Sequence, residues 1–330
     1  MIVKPIEINW QPTLSIFAKE SFLAAVSDEY GWLGGFSRSG ELRCFLPYTI
    51  VRRAIFRLAR FRVETIPIAE GFTVAEEKSF LDKAMDFFRS RGIDMVIPAT
   101  TNAVFRTFPE GAEAAPYGTY VIDLSLPEEA LWKNVAKVCR RNIGSAIKSG
   151  VIIRTGLEYV DVSHRLVRET FRRSRLPFMS LAAYRRYVAG LGDYARLLVA
   201  EHQGTIQSST LFAFSDPCVF AVYGGNLGKI PQGTMKLIQW EGIRLFQKLG
   251  VKRFDFFGAR INPACGSKQE AINSFKRHFG ATLVQGYIWK FPFRPLKYRL
   301  YQLASRLRSG GDIVDAERQK LKDFAPREKS

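Results

Sequence analysis

The sequence predicts an α/β protein built from two similar halves. A helix that ends at a glycine and is followed by a buried strand occurs twice, around Gly92 and again around Gly250. A predicted β-hairpin also occurs twice, with turns at Ser39-Gly40 and Gln203-Gly204, at nearly the same offset along the chain. One duplicated α/β unit explains both repeats and a length of 330 residues, which is enough for two domain-sized cores.

The first half is predicted to contain a hairpin, a basic segment and a helix. Residues 50–62 place arginines among apolar side chains, as either a basic rim or a patch that contacts phosphate or lipid headgroups: Arg52, Arg53, Arg57, Arg60 and Arg62. The capping-box pattern from Thr73 to Glu76 then begins a helix that Gly92 ends.

A basic helix is predicted to link the halves. Ser125 and Glu128 form a capping-box pattern at its start, and Gly150 ends it. One face is apolar, with Trp132, Val135, Cys139, Ile143 and Ile147, and the other carries Lys133, Lys137, Arg140, Arg141 and Lys148. The basic face is either simply solvated or binds an anion.

The second half centres on a glycine-rich turn and a helix. Gly224-Gly225 and Gln232-Gly233 precede a helix predicted from Thr234 to Leu249. Free backbone N–H groups at the start of such a helix can hold an anion or a polarised carbonyl. An ordinary strand-to-helix loop is the alternative.

Asp255 is the unusual residue of the strand that follows, which is predicted over residues 251–257. This strand is otherwise apolar, so the Asp255 carboxylate needs partners. A nearby basic cluster supplies candidates: Arg260, Lys268, Lys276 and Arg277. A structural ion pair and a functional site both fit this pattern.

The composition indicates which binding partners and which classes of reaction fit this protein. Lys and Arg number 49 against 31 Asp and Glu, which gives a net charge of +18 and predicts attraction to nucleic acid, anionic lipid or phosphorylated substrates. The four cysteines and three histidines are scattered, and no C-x-x-C, H-E-x-x-H or G-x-S-x-G pattern occurs. The sequence therefore favours a reducing compartment and gives little support to a metal site or a serine hydrolase. Residues 1–11 show no apolar signal core, so we expect a cytoplasmic location.

Several blocks of the sequence resemble the FemAB-like peptidyltransferases, which are N-acyltransferases of the GNAT superfamily. In the second half the blocks are Tyr223-Gly224-Gly225, Ile230-Pro231-Gln232-Gly233-Thr234, the segment 250–258, and Phe275-Lys276-Arg277-His278-Phe279-Gly280. In the first half they are the segment 117–125 and Arg140-Arg141-Asn142-Ile143. The resemblance covers most of residues 30–295.

The resemblance implies tandem GNAT-like lobes, each a mixed and mostly antiparallel sheet flanked by helices. Residues 1–150 would form the N-terminal lobe with the linking helix and residues 151–295 the C-terminal lobe. Beyond the resemblance, the residue pattern of 296–330 predicts a basic amphipathic helix and a mobile tail. It implies transfer of an aminoacyl or acyl group to an amine of a cell-envelope precursor, of the peptidoglycan or polysaccharide type, in a cleft between the lobes. The donor would be aminoacyl-tRNA or acyl-CoA, the acceptor lipid-linked or nucleotide-linked, and no prosthetic group or metal is implied.

The resemblance also implies functional residues. Lys276 lies where the family places a lysine in the channel that joins donor and acceptor, and Asp255 is its expected catalytic companion. The expected donor-binding or substrate-binding residues are Arg140, Arg141, Tyr223, Gln232, Gly233, Thr234 and Arg277. We expected the Phe275–Arg277 run to be a strand, in which neighbouring side chains point to opposite faces.

The sequence also allows two other functions. An acyl-CoA-dependent N-acetyltransferase of the same superfamily would use a diphosphate loop, of which Gly233 is matched while Ile230 and Met235 are not. The chain lacks the long charged heptads of the family's helical arm, which leaves the choice of donor open. A non-catalytic GNAT-like protein that holds RNA or anionic lipid is the third possibility.

The C-terminal segment is amphipathic. Leu296, Leu300, Leu303 and Leu307 share one helix face, with basic residues outside it and Trp289, Phe291 and Phe293 upstream. This face either packs on the C-terminal lobe or contacts the inner surface of the membrane. Beyond Gly310 the chain is polar, and we expect a mobile tail.

Overall fold

The structure, a computed structural model, describes residues 1–324 and is organised around one mixed β-sheet. The strands are β1 (Ile2–Ile6), β2 (Glu29–Phe36), β3 (Leu42–Arg53), β4 (Phe56–Phe61), β5 (Ile66–Pro67), β6 (Met95–Val96), β7 (Glu113–Asp123), β8 (Ile152–Thr155), β9 (Ala195–His202), β10 (Thr205–Ser215), β11 (Cys218–Asn226), β12 (Arg253–Asp255) and β13 (Thr282–Pro292). Their order across the sheet is β1-β2-β3-β4-β6-β13-β7-β12-β11-β10-β9-β8, with β5 paired to β3.

Helices cover and connect these strands. They are α1 (Glu20–Ala25), α2 (Val74–Ser90), α3 (Glu128–Asn134), α4 (Lys137–Lys148), α5 (Val160–Arg173), α6 (Leu181–Leu191), α7 (Thr234–Lys248), α8 (Lys268–Arg277), α9 (Pro295–Ser309) and α10 (Ile313–Phe324). Within residues 1–324, no helix is both long enough and apolar enough to cross a bilayer.

The two halves of the sheet repeat one topology. In the first half β2, β3 and β4 are antiparallel, and α2 connects β4 to the parallel strand β6. In the second half β9, β10 and β11 are antiparallel, and α7 connects β11 to the parallel strand β12. This repeat confirms the predicted tandem α/β class, including both hairpins and the capping box at Thr73.

The halves exchange strands at the centre of the sheet. β7 follows β6 in the chain but pairs with β12 of the second half, whereas β13 follows β12 but pairs with β6 of the first half. β7 and β13 also pair with each other. Because β7 crosses into the second half of the sheet, α3 and α4 pack on the core of that half. Cys139 and Ile143 of α4 share this core with Trp240 and Phe246 of α7. The packing therefore does not divide at residue 150.

The linking helix differs from the sequence prediction. It consists of α3 and α4, which are separated at Val135 and Ala136, so it is not continuous from Glu128 to Gly150. Pro127 precedes α3 without a side-chain cap, because Ser125 donates its hydroxyl hydrogen to Asp123 at 2.6 Å instead of capping the helix. The predicted capping box at Ser125 was wrong.

The segment beyond Gly310 also differs from the prediction, because part of the expected mobile tail is α10. Val314 is fully buried, and Lys290 of β13 anchors the start of this helix through ion pairs to Asp312 at 2.9 Å and Asp315 at 2.6 Å. Burying one cation between two carboxylates holds a polar helix against the sheet. The last part of the expected tail, residues 325–330, lies outside the described residues.

Candidate active site

Asp255 lies at the centre of the sheet, on β12 between β7 and β11. Its side chain is buried and Oδ1 accepts two hydrogen bonds, from the Thr119 hydroxyl at 2.5 Å and from the Phe257 backbone N–H at 2.7 Å. Burial raises the pKa of Asp255, and the hydrogen bond from Thr119 works against that rise. Its hydrogen-bond partners are thus a threonine of the first half and the backbone, where we expected a basic cluster.

The four residues of the predicted basic cluster each contact a different partner. Arg260 pairs with Glu317 of α10 at 3.2 Å, and Lys268 donates to the Ser174 hydroxyl. Arg277 is exposed and donates to the Tyr120 hydroxyl at 3.0 Å. Of the four predicted partners, Lys276 is the one whose positive charge acts on the pKa of Asp255.

The turn after β12 has an unusual backbone. Phe257 and Gly258 have φ angles of 62° and 81°, so two consecutive residues adopt the left-handed conformation. A residue other than glycine loses roughly 1–2 kcal/mol of stability in this conformation. A Cβ on Gly258 would lie 2.5 Å from the Thr101 carbonyl oxygen, so only glycine fits. The Gly258 N–H donates to the Thr119 hydroxyl oxygen at 3.1 Å, which ties this strained turn to the Asp255 network.

Lys276 reaches the same turn from α8. Its side chain is 6% exposed, and its amino group donates to the Gly258 carbonyl oxygen. Burial lowers the pKa of Lys276 to about 8, and the negative charge of Asp255 opposes this shift. The Phe275–Arg277 run is the end of a helix, so our expectation of a strand was wrong. Helical geometry directs Lys276 inward and leaves Arg277 on the surface.

Two arginines of the first half lie near two tyrosines of the second half. Arg60 and Arg62, at alternate positions at the end of β4, are held by backbone carbonyls: Arg60 donates to Pro98 at 3.1 Å and Arg62 to Val26 at 3.0 Å. Burial lowers the pKa of Arg62 to about 9, and the like charge of Arg60 adds to the shift. The positive charges of both arginines act on the pKa values of Tyr187 and Tyr223, which burial raises.

Glu64 continues the same alternation and was missed in the sequence analysis. Burial raises its pKa to about 7, and the charges of Arg253 and Asp255 act on it. In the described part of the chain, residues 1–324, its buried Oε2 has no hydrogen-bond partner. The two-residue spacing of Arg60, Arg62 and Glu64 was the signal that could have found it. We call Arg60, Arg62, Tyr187 and Tyr223 the arginine–tyrosine cluster, whereas Glu64 interacts with Arg253 and Asp255.

The other expected donor-binding residues gather where α4 crosses the start of α7. A Cβ on Gly233 would lie 1.9 Å from the Asn142 carbonyl oxygen, so this glycine permits the close approach of α4. Arg141 and Gln232 are exposed beside the crossing. Thr234 is buried and donates to the Pro231 carbonyl at 2.7 Å.

Arg140 makes hydrogen bonds to the backbone at the same crossing. Its Nη1 donates to the carbonyl oxygens of Trp132, Lys133 and Val135 at 3.1, 3.0 and 2.5 Å. These carbonyls belong to the end of α3, where helical partners are missing. Arg140 thus closes α3 and positions α4.

Two repeated α/β units that exchange strands around a buried lysine and aspartate form this fold, and solved tandem GNAT and Fem proteins share it. The crystal structure of FemX covers 87% of this chain and 93% of its own, with a TM-score of 0.64 and 12% identity. The C-terminal domain of a protein assigned as a lysylphosphatidylglycerol synthetase, from Agrobacterium fabrum, covers 90% and 96%, with a TM-score of 0.54 and 12% identity.

A tandem GNAT protein from the clavulanic acid biosynthesis pathway is also similar, covering 88% of this chain and 98% of its own at a TM-score of 0.52 and 13% identity. The sequence matches no protein-family model and no curated protein. At these identities the similarity establishes the shared fold.

Proposed function

We propose that the protein is an N-acyltransferase that moves an acyl or aminoacyl group to an amine of a cell-envelope precursor. The observation that carries this proposal is Lys276, a buried cation held by the Gly258 carbonyl beside the strained turn. The names of the structural neighbours, FemX and a lysylphosphatidylglycerol synthetase, support the envelope as the place of action.

The chemistry is aminolysis of an activated carboxyl group. The acceptor nitrogen attacks the carbonyl carbon of the donor ester or thioester, and the carbonyl π electrons move onto oxygen. The oxyanion then re-forms the carbonyl as the C–O or C–S bond breaks, and the electron pair leaves on the tRNA oxygen or the coenzyme A sulfur, which takes up a proton. A fixed cation beside the developing oxyanion lowers this barrier. Lys276 is the buried candidate for that role, since its hydrogen bond to Gly258 leaves donors on the ammonium group available.

Glu64 is suited to accept the proton that the attacking amine loses. A carboxylate with a pKa near the working pH is an efficient general base, and burial raises the pKa of Glu64 to about 7. Asp255 has a different role, because its Oδ1 is bonded to Thr119 and Phe257. We assign Asp255 to positioning the turn and keeping Lys276 charged.

The arginine–tyrosine cluster suits an acceptor that carries an anionic group. Arg60 and Arg62 present two preorganised cations near the Tyr187 and Tyr223 rings, and guanidinium groups pair well with phosphate. A nucleotide-linked or lipid-linked precursor provides such a phosphate.

Aminoacyl-tRNA is the donor we favour. The exposed sides of α3 and α4 carry Lys133, Lys137, Arg141 and Lys148, which can follow a nucleic-acid backbone. The missing Cβ of Gly233 is explained by packing against Asn142, so it does not indicate a coenzyme A diphosphate loop. Acyl-CoA remains the alternative donor, because the resemblance allows both.

The function and the donor can be tested in one assay. Single-turnover transfer to an amine acceptor with a phosphate-linked carrier should proceed with aminoacyl-tRNA and be slower with acetyl-CoA. The double variant Arg60→Gln/Arg62→Gln should raise the acceptor KM about 10-fold or more while changing kcat little, since each charged hydrogen bond contributes about 1.5–3 kcal/mol. Arg89→Gln on α2, with an exposed side chain paired to Asp86, is the matched control. Vesicle or RNA binding without transfer from either donor would instead favour a non-catalytic protein.

A further inference from the structure

Helix α9 exposes a row of leucines to solvent. Leu296, Leu300, Leu303 and Leu307 are 77%, 54%, 56% and 82% exposed. Their spacing places them on one face of the helix. The opposite face holds the helix to the protein, where Tyr298 packs with Leu58 and Met95. Large exposed apolar rows of this kind are typical of interaction surfaces.

A fifth apolar residue extends this row beyond the helix. Ile55, at the tip of the turn between β3 and β4, is 62% exposed. The Lys297 amino group donates to the Ile55 carbonyl oxygen at 2.8 Å, which holds the tip against α9. We call the four leucines and Ile55 the leucine surface.

The rim of the leucine surface is basic. Helix α9 contains no Asp or Glu, and Lys297 lies on one flank of the leucine row while Arg299 and Arg306 lie on the other. Arg52 and Arg53 are exposed next to Ile55, and Glu29 pairs with Arg52 at 2.6 Å. Lys297 also pairs with Asp94 at 3.0 Å, whereas Arg299 and Arg306 are exposed, so the surface combines apolar side chains with a basic edge.

We propose that the leucine surface docks on an anionic lipid bilayer. The leucines and Ile55 would enter the boundary between headgroups and acyl chains, and the flanking cations would pair with lipid phosphates. A seam between two copies of this chain fits less well, because every charged residue of α9 is positive and two copies would bring like charges together. The charge complementarity favours lipid.

Docking would place Arg60, of the arginine–tyrosine cluster, near the membrane. Tyr301 lies on the inner side of α9, where the positive charges of Arg60 and Arg53 act on its pKa, which burial raises. The headgroup of a docked lipid-linked acceptor would thus lie near Arg60. This orientation rests on the proposed function, whereas docking itself rests on the leucine surface alone.

Co-sedimentation of the full chain with vesicles tests the proposal. The protein should bind vesicles of phosphatidylglycerol and phosphatidylcholine more tightly than vesicles of phosphatidylcholine alone. Leu300→Ser/Leu303→Ser should weaken binding about 10-fold or more, because burial of each CH₂ favours insertion. Leu157→Ser/Leu249→Ser changes two leucines that are 45% and 51% exposed elsewhere, and it should leave binding unchanged.

Charge variants separate the two contributions. Arg299→Gln/Arg306→Gln should weaken binding to the anionic vesicles about 10-fold, as expected for two cations near a charged surface, and should not affect binding to phosphatidylcholine. The proposal is overturned if the parent protein does not sediment with anionic vesicles or if Leu300→Ser/Leu303→Ser binds equally well. It is also overturned if sedimentation velocity shows a dimer that only the leucine variant dissociates. No acyl donor is present, so these outcomes are independent of the transfer assay.

Discussion

The Thr119 hydroxyl on β7 donates to Oδ1 of Asp255 on β12 at 2.5 Å. Thr119 belongs to the first half of the chain and Asp255 to the second, and the exchange of β7 across the sheet brings them together. The same hydroxyl oxygen accepts the Gly258 N–H at 3.1 Å. One threonine thus connects the strand exchange to the turn that holds Lys276.

Thr119→Val should destabilise the fold and slow transfer. The change removes a hydrogen bond to a buried carboxylate and leaves the Gly258 N–H without its acceptor, so we expect a loss of about 1–3 kcal/mol in urea unfolding. Thr282→Val is the matched control, because the Thr282 hydroxyl is exposed on β13 and its hydrogen bond to Val121 is long, at 3.5 Å. Equal stability of the two variants would contradict a structural role for the Thr119–Asp255 bond.

Gly258→Ala should be far more damaging than Gly250→Ala. Both glycines have positive φ angles, 81° and 78°, so both changes carry the left-handed penalty of roughly 1–2 kcal/mol. Only at Gly258 does the new Cβ also meet a backbone oxygen, that of Thr101 at 2.5 Å, whereas Gly250 has open space around it. Thermal unfolding should show the larger loss for Gly258→Ala. Similar losses would show that the turn can shift at little cost.

The rate of transfer should depend on pH in a bell-shaped manner. Glu64 must be deprotonated to accept a proton, so the rate should rise as pH increases through about 7. Lys276 must be protonated to stabilise an oxyanion, so the rate should fall as pH increases through about 8. Glu64→Gln should remove the rising limb, whereas Glu41→Gln, exposed near the hairpin turn, should keep both limbs. A rising limb that survives in Glu64→Gln would rule out this base.

The free energy of unfolding should depend on pH through Lys276 and Glu64, and the two contributions should have opposite signs. The pKa of Lys276 falls from 10.5 unfolded to about 8 folded, so the unfolded chain binds more protons between these values and this group makes stability rise with pH there. The pKa of Glu64 rises from 4.5 to about 7, so the folded chain binds more protons and its contribution falls as pH increases through that window. In urea unfolding, Lys276→Met should lose the rise in stability between about pH 8 and 10.5, and Glu64→Gln should lose the fall in stability between pH 4.5 and about 7. Unchanged profiles in both variants would contradict the assigned shifts.

Lys290→Met should detach α10 from the sheet. Lys290 is 1% exposed and contacts Asp312 and Asp315, and removing one partner of a buried ion pair costs roughly 3–5 kcal/mol. Lys78→Met removes an exposed ion pair to Asp82 and should cost about 0.5 kcal/mol or less. Hydrogen exchange should show faster exchange in α10 for Lys290→Met alone. Unchanged protection of α10 would contradict the anchor.

The sequence contained enough local information for the repeated unit and for most elements. Apolar periodicity and Gly250 predicted α7, and Thr73 predicted the start of α2, because these signals act within a few residues. The exchange of β7 and β13 has no local signal, since strand pairing between distant segments depends on the whole sheet. The break at Val135 was missed for a related reason, because Arg140 closes α3 from the next helix.

The site was only partly predictable. Resemblance directed attention to Lys276 and Asp255, and the structure brings both to one turn, but their connection through Thr119 and Gly258 needs three-dimensional contacts. Arg277 was expected nearby and is instead exposed, because the run is helical. Glu64 was missed: its spacing from Arg60 and Arg62 was a signal, but the burial that raises its pKa depends on three-dimensional packing.

The rate of single-turnover transfer by Lys276→Met tests the account most directly. Methionine keeps much of the side-chain volume and removes the charge, so the variant should remain folded, which urea unfolding of the purified protein checks. Transfer should fall by a factor on the order of 10²–10³, the usual loss for one oxyanion donor. Lys248→Met, exposed at the end of α7, should transfer like the parent. A stable Lys276→Met protein that transfers as fast as the parent from aminoacyl-tRNA or acetyl-CoA would contradict the assignment of this lysine.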